Sequence, residues 1–579
     1  MTHSTPAIVI LGQGALATAR RLQQVYPAAK IHGLNGRVEG ADLTYSDFGA
    51  TLRELYQQDT PIIALCAAGI VIRTLAPLLL EKGVEPPVLA VAEDGSAVVP
   101  LLGGLGGVNV MAREIAAALE VAAAITTSGE LRFGTCLLNP PGGYALGDLE
   151  QGKRFVSDLL AGHSVRIDGA APWLEQAQLP EDPQAQRSIH VGSAARAANT
   201  SELLIYPRSV AVAVGSSVTD VPGTLRDALQ QAGVAIQSLA CLVAADAQMA
   251  SPALREAALE LAVPLRFVVP ANDIGELVRD AVPGARIITT SRDIAIAVAE
   301  QPLDVSQIGR PRGRLAVIGL GPGAAELMVP AVKAELARAT DVLGYETYVR
   351  MAGPFRDDQV QHCTDNREEM QRARHAFRLA AQGRSVIVVS SGDPGVFAMA
   401  SAVFEAMESA DAVQAAAWQA LDIQVLPGIT AMLAAAARAG APLGHDFCCI
   451  NLSDNLKPWP VIARRVELAA EADFAMAFYN PRSKSRPEGF VRLLQLLRTR
   501  CEPQRLLVFA RAVSTPEEHL HVCTLAEATP EMADMRTVVL VGNSATRRVG
   551  RWVYTPRHYG MDGGADGAGG AGGAIGSTP

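Results

Sequence analysis

The chain has no surplus of positive charge: 50 Lys and Arg stand against 59 Asp and Glu, a net −9 at pH 7. That excludes a basic nucleic-acid coat, which needs clustered cations to meet phosphates. It also has no long apolar run. The longest candidates, Pro61–Ile72 and Ala97–Val108, carry Gly or Pro and fall short of the roughly 20 residues a membrane span needs. No membrane partner is expected. The stretch Met1–Gly14 contains neither a basic segment nor a cleavage pattern, so a cytoplasmic location is expected. Eight cysteines are present without a C-x-x-C pair, and the adjacent Cys448 and Cys449 cannot easily bridge each other. Scattered thiols of this kind fit reduced, mostly buried side chains, with neither a disulfide framework nor a zinc site.

What the chain does have is apolar material, 49% of 579 residues, with 19% charged. That excludes a disordered chain and supplies several cores, about four domains at roughly 150 residues each. Short β-type runs alternate with Ala/Leu-rich helical stretches, which predicts α/β layering on largely parallel sheets. Strands are predicted at Ala7–Leu11, Pro61–Leu65, Val88–Val91, Val210–Val214, Leu315–Ile318, Ser385–Val389, Ile423–Leu426, Phe474–Phe478, Leu506–Phe509 and Thr537–Val541. Residues 139–207 look poor in strands and read as a connector or small subdomain. The polar, proline-bearing stretch 301–312 reads as a linker, and residues 559–579, rich in glycine, as a disordered tail. The predicted divisions are therefore 1–138, 139–207, 208–300, 301–312, 313–558 and 559–579.

Two strands run into glycine-rich turns. Gly12-Gln-Gly14-Ala-Leu-Ala17 fits G-x-G-x-x-A, the opening of a dinucleotide-binding unit, where backbone N–H groups meet a pyrophosphate at a helix N-terminus. The acidic residue expected about 20 positions later is missing; Arg37 stands in that region and could meet a 2′-phosphate. A tight turn of a flavodoxin-like domain explains the same residues. The second turn, Gly319-Leu-Gly321-Pro322-Gly323, is stiffened by Pro322, which removes an N–H and makes a poor phosphate nest.

The segments C-terminal to the second turn are more specific. Gly319–Gly323 precedes Ser390-Ser-Gly392-Asp393-Pro-Gly-Val396-Phe397 and Pro427-Gly-Ile-Thr430-Ala431. From Gly313 to about His558 these segments, in this order, resemble the tetrapyrrole (precorrin) methyltransferases, the S-adenosylmethionine (SAM) enzymes of vitamin B12 and sirohaem synthesis. Gly344-Tyr345-Glu-Thr-Tyr348, His445-Asp446-Phe447, Ser453-Asp454-Asn-Leu-Lys457-Pro-Trp459 and Tyr479-Asn480-Pro-Arg482-Ser-Lys484 narrow the resemblance to the ring-contracting precorrin-3B C(17)-methyltransferases. Within the preceding 300 residues, Ala67–Arg73, Leu102–Asn109 and Val210–Val269 resemble CbiG-type proteins, which open a lactone on the ring-contracted macrocycle.

The resemblance implies two α/β/α lobes of the class III methyltransferase fold with SAM between them, and a homodimer. Gly321, Pro322, Gly392, Asp393, Val396, Phe397, Thr430 and Ala431 would hold SAM, with Tyr479, Val513 and Val541 on the adenine wall. His445, Asp446, Ser453, Asp454 and Tyr345 are the candidates for proton handling in ring contraction. Tyr348, Lys457, Asn480, Arg482 and Lys484 are candidates for the many carboxylates of a tetrapyrrole, with arginine suited to bidentate contact. No metal ligand is implied. In the first half, Gly104 stands where the CbiG pattern has a histidine, and Gly215-Ser-Ser where it has Gly-Cys-Arg. Without these groups that half is expected to bind the macrocycle or to be vestigial. Three alternatives stand beside this reading: a cobalt-loaded substrate, an NAD(P)-dependent reductase using Gly12–Ala17, and a tetrapyrrole carrier.

Overall fold

A computed structural model describes residues 5–79, 85–197, 199–365, 368–455, 457–483 and 487–557, with backbone alone at 289 and 290. Lys484 and the glycine-rich 559–579 lie outside the described residues. The chain forms two units that divide at Arg312/Gly313, with Gln419–Leu421 counted in the first. Each of the ten predicted strands is a strand, to within two residues at its ends.

The first unit carries three sheets. Ala7–Ile10, Ile62–Leu65 and Val88–Val91 are apolar throughout and buried on both faces, which is why they read as unbroken hydrophobic runs. The spatial order of the first sheet is Leu43–Tyr45, Lys30–Leu34, Ala7–Ile10, Ile62–Leu65, Val88–Val91, Val98–Leu102, the last antiparallel. This is the 3-2-1-4-5-6 order of dinucleotide-binding domains, not the flavodoxin order. The turn at Gly12 therefore lies at the switch point, where such sheets bind ligands. A carboxylate already lies there: a Cβ at Gly14 would collide with Glu93 Oε1, and the Glu93 carbonyl accepts the Thr18 hydroxyl at 2.8 Å. An anionic side chain over the glycines repels a pyrophosphate. NADPH is accordingly expected to leave the melting temperature of the full chain unchanged to within about a degree. A concentration-dependent rise in a thermal-shift titration would sink this reading.

The stretch 139–207 departs from its prediction. It contributes a four-stranded sheet in the order Tyr144–Leu146, Glu202–Pro207, Arg187–Val191, Val165–Asp168, over a core that includes Phe133, Phe155, Leu159, Leu174, Ile189 and Ile205. Two of its strands escape the eye because the positions facing away from that core are charged or polar: Arg166 and Asp168 on one, Ser188 and His190 on the next. The third sheet runs Leu265–Val268, Leu239–Ala245, Val210–Val214, Ile294–Val298, Arg286–Thr290. The supposed linker packs on it. Ile308 is buried with Leu277 and Val278, and Arg310 pairs with Asp246 at 2.8 Å.

The second unit has two five-stranded sheets and a small three-stranded one, in the order Gly440–Ala441, Trp552–Tyr554, Arg547–Val549. The first is wholly parallel, in the order Val360–Thr364, Asp341–Tyr345, Ser385–Ser390, Arg314–Gly319, Asp422–Leu426. The second runs Phe447–Asn451, Ala475–Tyr479, Thr537–Val541, Leu506–Arg511, His519–Thr524 and is mixed, with only its first pair parallel. The prediction of largely parallel sheets fails here because the turn from Arg511 to His519 is too short for a parallel crossover. Among the described residues no helix is long and apolar enough to cross a membrane, and no group of three or more His, Cys, Asp or Glu is placed to hold a metal ion.

Candidate functional site

The three glycine-bearing loops leave adjacent strands of the parallel sheet, so they emerge side by side at its carboxyl edge. That is where open α/β sheets place ligands. Gly321 donates its N–H to the Gly392 carbonyl at 3.1 Å, and Gly392 donates back to the Gly321 carbonyl at 2.8 Å. Both residues are left-handed, at φ +80° and +67°, which glycine adopts without strain. A Cβ on Gly319 or Gly428 would run into the Gly392 carbonyl oxygen. Asp393 clamps the stack: one carboxylate oxygen accepts the Gly395 N–H at 2.8 Å, and the other accepts the Gly428 N–H at 3.1 Å.

Thr430, on the next loop, stands immediately before the helix Ala431–Ala439. The Tyr479 hydroxyl, at the end of a strand in the second sheet, accepts the Met432 N–H at 2.8 Å and pairs with the Thr430 hydroxyl. Burial pushes the Tyr479 phenol above its ordinary range. Phe397 meets the Tyr479 ring edge-on at 5.5 Å between centroids.

These groups wall a cavity of about 700 Å³. Gly392, Asp393, Val396 and Phe397 form one side and Thr430 and Ala431 the next. Ala510 and Val538 come from the second sheet, Ala512 and Val513 from the turn after its strand Leu506–Arg511, with Tyr345, Tyr348 and Arg372 beyond them. Phe397, Asn480 and Ala512 line the cavity at φ +54°, +52° and +49°, and Ser514 beside it stands at +64°. Non-glycine residues in this region are strained, and strain concentrates at ligand sites.

Twelve of the predicted site residues meet at this cavity: Pro322, Tyr345, Tyr348, Gly392, Asp393, Val396, Phe397, Thr430, Ala431, Tyr479, Asn480 and Val513. Gly321 stands behind it, bonded to Gly392. The others do not line it. Val541 lies on the opposite pleat from Val538, in the core beneath the helices Trp459–Glu471 and Glu488–Arg500; successive strand residues face opposite sides. His445, Asp446, Ser453, Asp454 and Lys457 flank Phe447–Asn451, which is the edge strand. Ala475–Tyr479, which reaches the cavity through Tyr479 at its end, stands between that strand and Thr537–Val541 and Leu506–Arg511. His445 Nδ1 accepts the Asp446 N–H at 2.8 Å. Burial and the nearby Arg465 draw the Lys457 ammonium below its ordinary range. Arg482 donates to the Pro530 carbonyl at 3.4 Å and sits 3.8 Å from Glu531.

Sequence reasoning missed Arg372, Ala510, Ala512 and Val538. For Arg372 a signal existed. It shares the helix stripe of Ala373, Ala376, Phe377 and Ala380, all buried, and an arginine on an apolar stripe calls for a partner.

The model of the family "Tetrapyrrole (Corrin/Porphyrin) Methylases" matches residues 314–529, and that of "Cobalamin synthesis G N-terminal" matches residues 50–130. A precorrin-3B C(17)-methyltransferase of Sinorhizobium sp is 48% identical over 252 residues, 43% of this chain and 97% of that protein. The chain belongs to the tetrapyrrole methylases. A probable cobalt-factor III C(17)-methyltransferase of Salmonella typhimurium is 38% identical over 247 residues, 42% of this methylase chain and 99% of that protein. The cobalamin biosynthesis protein CobIJ of Mycobacterium tuberculosis is 45% identical over 259 residues, and the match spans 48% of its length. A crystal structure of the methyltransferase CobJ is 63% identical, at TM-score 0.41, covering 42% of this methylase and all of that chain.

Proposed function

We propose that the second unit transfers a methyl group from SAM to carbon 17 of precorrin-3B, with ring contraction, in cobalamin biosynthesis. The single observation that carries this reading is the cavity beneath the stacked glycine loops, in a chain 48% identical to a precorrin-3B C(17)-methyltransferase along nearly all of that protein.

The residues present suit SAM. Aromatic faces at Phe397 and Tyr479 and the Asp393 carboxylate suit a sulfonium and an ammonium. The bare backbone at Gly392 and the small side chains of Ala431 and Ala512 leave room for a nucleoside, and Val513 and Val538 offer it an apolar wall. SAM supplies an already activated methyl group. The protein's part is to hold donor and carbon acceptor in line and to exclude water. The Gly392–Phe397 loop positions the amino-acid end, and Thr430 and Ala431 fix the helix end against it. Tyr345 and Tyr348, paired edge-on at 5.4 Å, bound the side left for the macrocycle.

Incubation of the full chain with SAM and either metal-free precorrin-3B or its cobalt form, followed by mass spectrometry, tests the reading. A one-methyl gain on the metal-free substrate is expected. A gain on the cobalt form alone would move the enzyme to the cobalt-dependent branch of its Salmonella relative, and no gain on either would refute it. The resemblance adds a homodimer and a cytoplasmic location, with no nucleic-acid partner; sedimentation equilibrium reads the first.

The first unit carries the CbiG-like half, and its Gly104 is open: a Cβ there would meet nothing within 4 Å. With no imidazole at this position, the full chain is expected to release no two-carbon aldehyde from a lactone-bearing, ring-contracted cobalt intermediate. Detection of that aldehyde by derivatisation would show the lactonase half to be alive.

A further inference from the structure

Arg372 lies on the helix Glu369–Ala381 and is 3% exposed, and the part left open lines the methylase cavity. Its Nε donates to the Thr364 hydroxyl at 2.7 Å, one terminal nitrogen donates to the Asp365 carbonyl at 2.7 Å, and the other reaches the Met399 sulfur at 3.1 Å. A guanidinium carries five N–H donors, and a thioether is a weak acceptor. Among the described residues no carboxylate pairs with Arg372. Other arginines of the same unit differ. Arg505, 5% exposed, is held by Asp473 at 2.9 Å and Glu502 at 2.8 Å, and Arg314 is held by Glu335 and Asp422. Burial draws the Arg372 guanidinium below its ordinary range, and the neighbouring acids Glu369, which lines the same cavity one turn away, Glu368 and Asp365 only partly offset this.

A buried cation without a counter-charge is costly, whereas a hydrogen-bonded buried pair is tolerated. The free protein keeps the cation at the wall of a cavity, fixed by three neutral acceptors, with donors left over. Tyr348, half-buried beside it, and Tyr345 flank the same wall. We propose that Arg372 receives a carboxylate of a ligand bound in this cavity. Resting on the methyltransferase reading, this carboxylate has two sources of the same chemistry: an acid side chain of the tetrapyrrole, or the α-carboxylate of SAM.

The test uses the full chain carrying Arg372→Met, which keeps the apolar stem and deletes the fork, and Arg372→Lys, which keeps a charge without the planar fork. Calorimetry with S-adenosylhomocysteine reads one arm; KM and kcat with precorrin-3B read the other. Loss of a buried charge-assisted pair is expected to weaken one of the two by roughly thirtyfold or more, about 2 kcal/mol, with Lys recovering part of it. A rise in tetrapyrrole KM at unchanged S-adenosylhomocysteine affinity assigns the macrocycle's acid; the reverse assigns the amino-acid carboxylate. If both constants stay within about threefold of wild type in Met and Lys variants that fold, Arg372 only braces Thr364 and Met399 and the proposal falls. Failure of the wild-type protein to bind S-adenosylhomocysteine would instead defeat the methyltransferase reading itself. Should the Met variant fail to fold, Lys alone decides, because a brace tolerates the shorter donor set without a shift confined to one ligand.

Discussion

Valine in place of Gly392 is expected to weaken S-adenosylhomocysteine binding by roughly a hundredfold or more, about 2.7 kcal/mol, while the unit stays folded. Two effects add. Gly392 stands at φ +67°, where a left-handed L-residue costs about 1–2 kcal/mol and a β-branched one more. The new Cβ would also lie 3.5 Å from the Thr430 Cα and 3.8 Å from the Ala431 nitrogen, at the face where the ligand is to lie. Alanine carries the dihedral cost with far less bulk, so Gly392→Ala should lose markedly less. Calorimetry on both variants is the measurement, and a valine variant within about threefold of wild type would place the cofactor elsewhere.

Asp393→Ala should act through a different link. Its carboxylate joins two loops by accepting the Gly395 and Gly428 N–H groups, and charge-assisted bonds of this kind are worth about 1.5–3 kcal/mol each. Removal should both weaken S-adenosylhomocysteine by roughly tenfold or more and lower the ligand-free melting temperature by about 5 °C or more. Asn should fall between, since its amide accepts from only one of the two N–H groups. Affinity lost at an unchanged melting temperature would mean that Asp393 touches the ligand and does not hold the loops. Unchanged affinity would remove it from the site altogether.

The legible and the hidden parts of this chain divide along a physical line, between local and non-local constraint. Glycine loops are legible because their constraint is local: a left-handed φ or a close backbone approach admits little else, as at Gly321 and Gly392. Apolar strands such as Ala7–Ile10 are legible because burial on both faces leaves no polar position. Val541 is expected at the cavity and Val538 lines it instead, because the choice turns on pleat parity, which one strand's sequence does not reveal. His445, Ser453 and Lys457 belong to specific motifs, but their strand is the sheet's edge, and strand order is a non-local property. The short strands of 139–207 are hidden by outward charges, and the mixed second sheet by a turn whose length, not its composition, decides its direction.

The contact among Gly319, Gly392 and Gly428 bears on how such an enzyme can be altered. A single added carbon at 319 or 428 meets a carbonyl oxygen, so those positions hold glycine whatever macrocycle is bound. They record the scaffold and carry no information on selectivity. Libraries meant to shift substrate choice should leave the stack untouched and diversify the opposite wall, at Tyr345, Tyr348 and Met351, where side chains face the cavity and backbone packing sets no such veto.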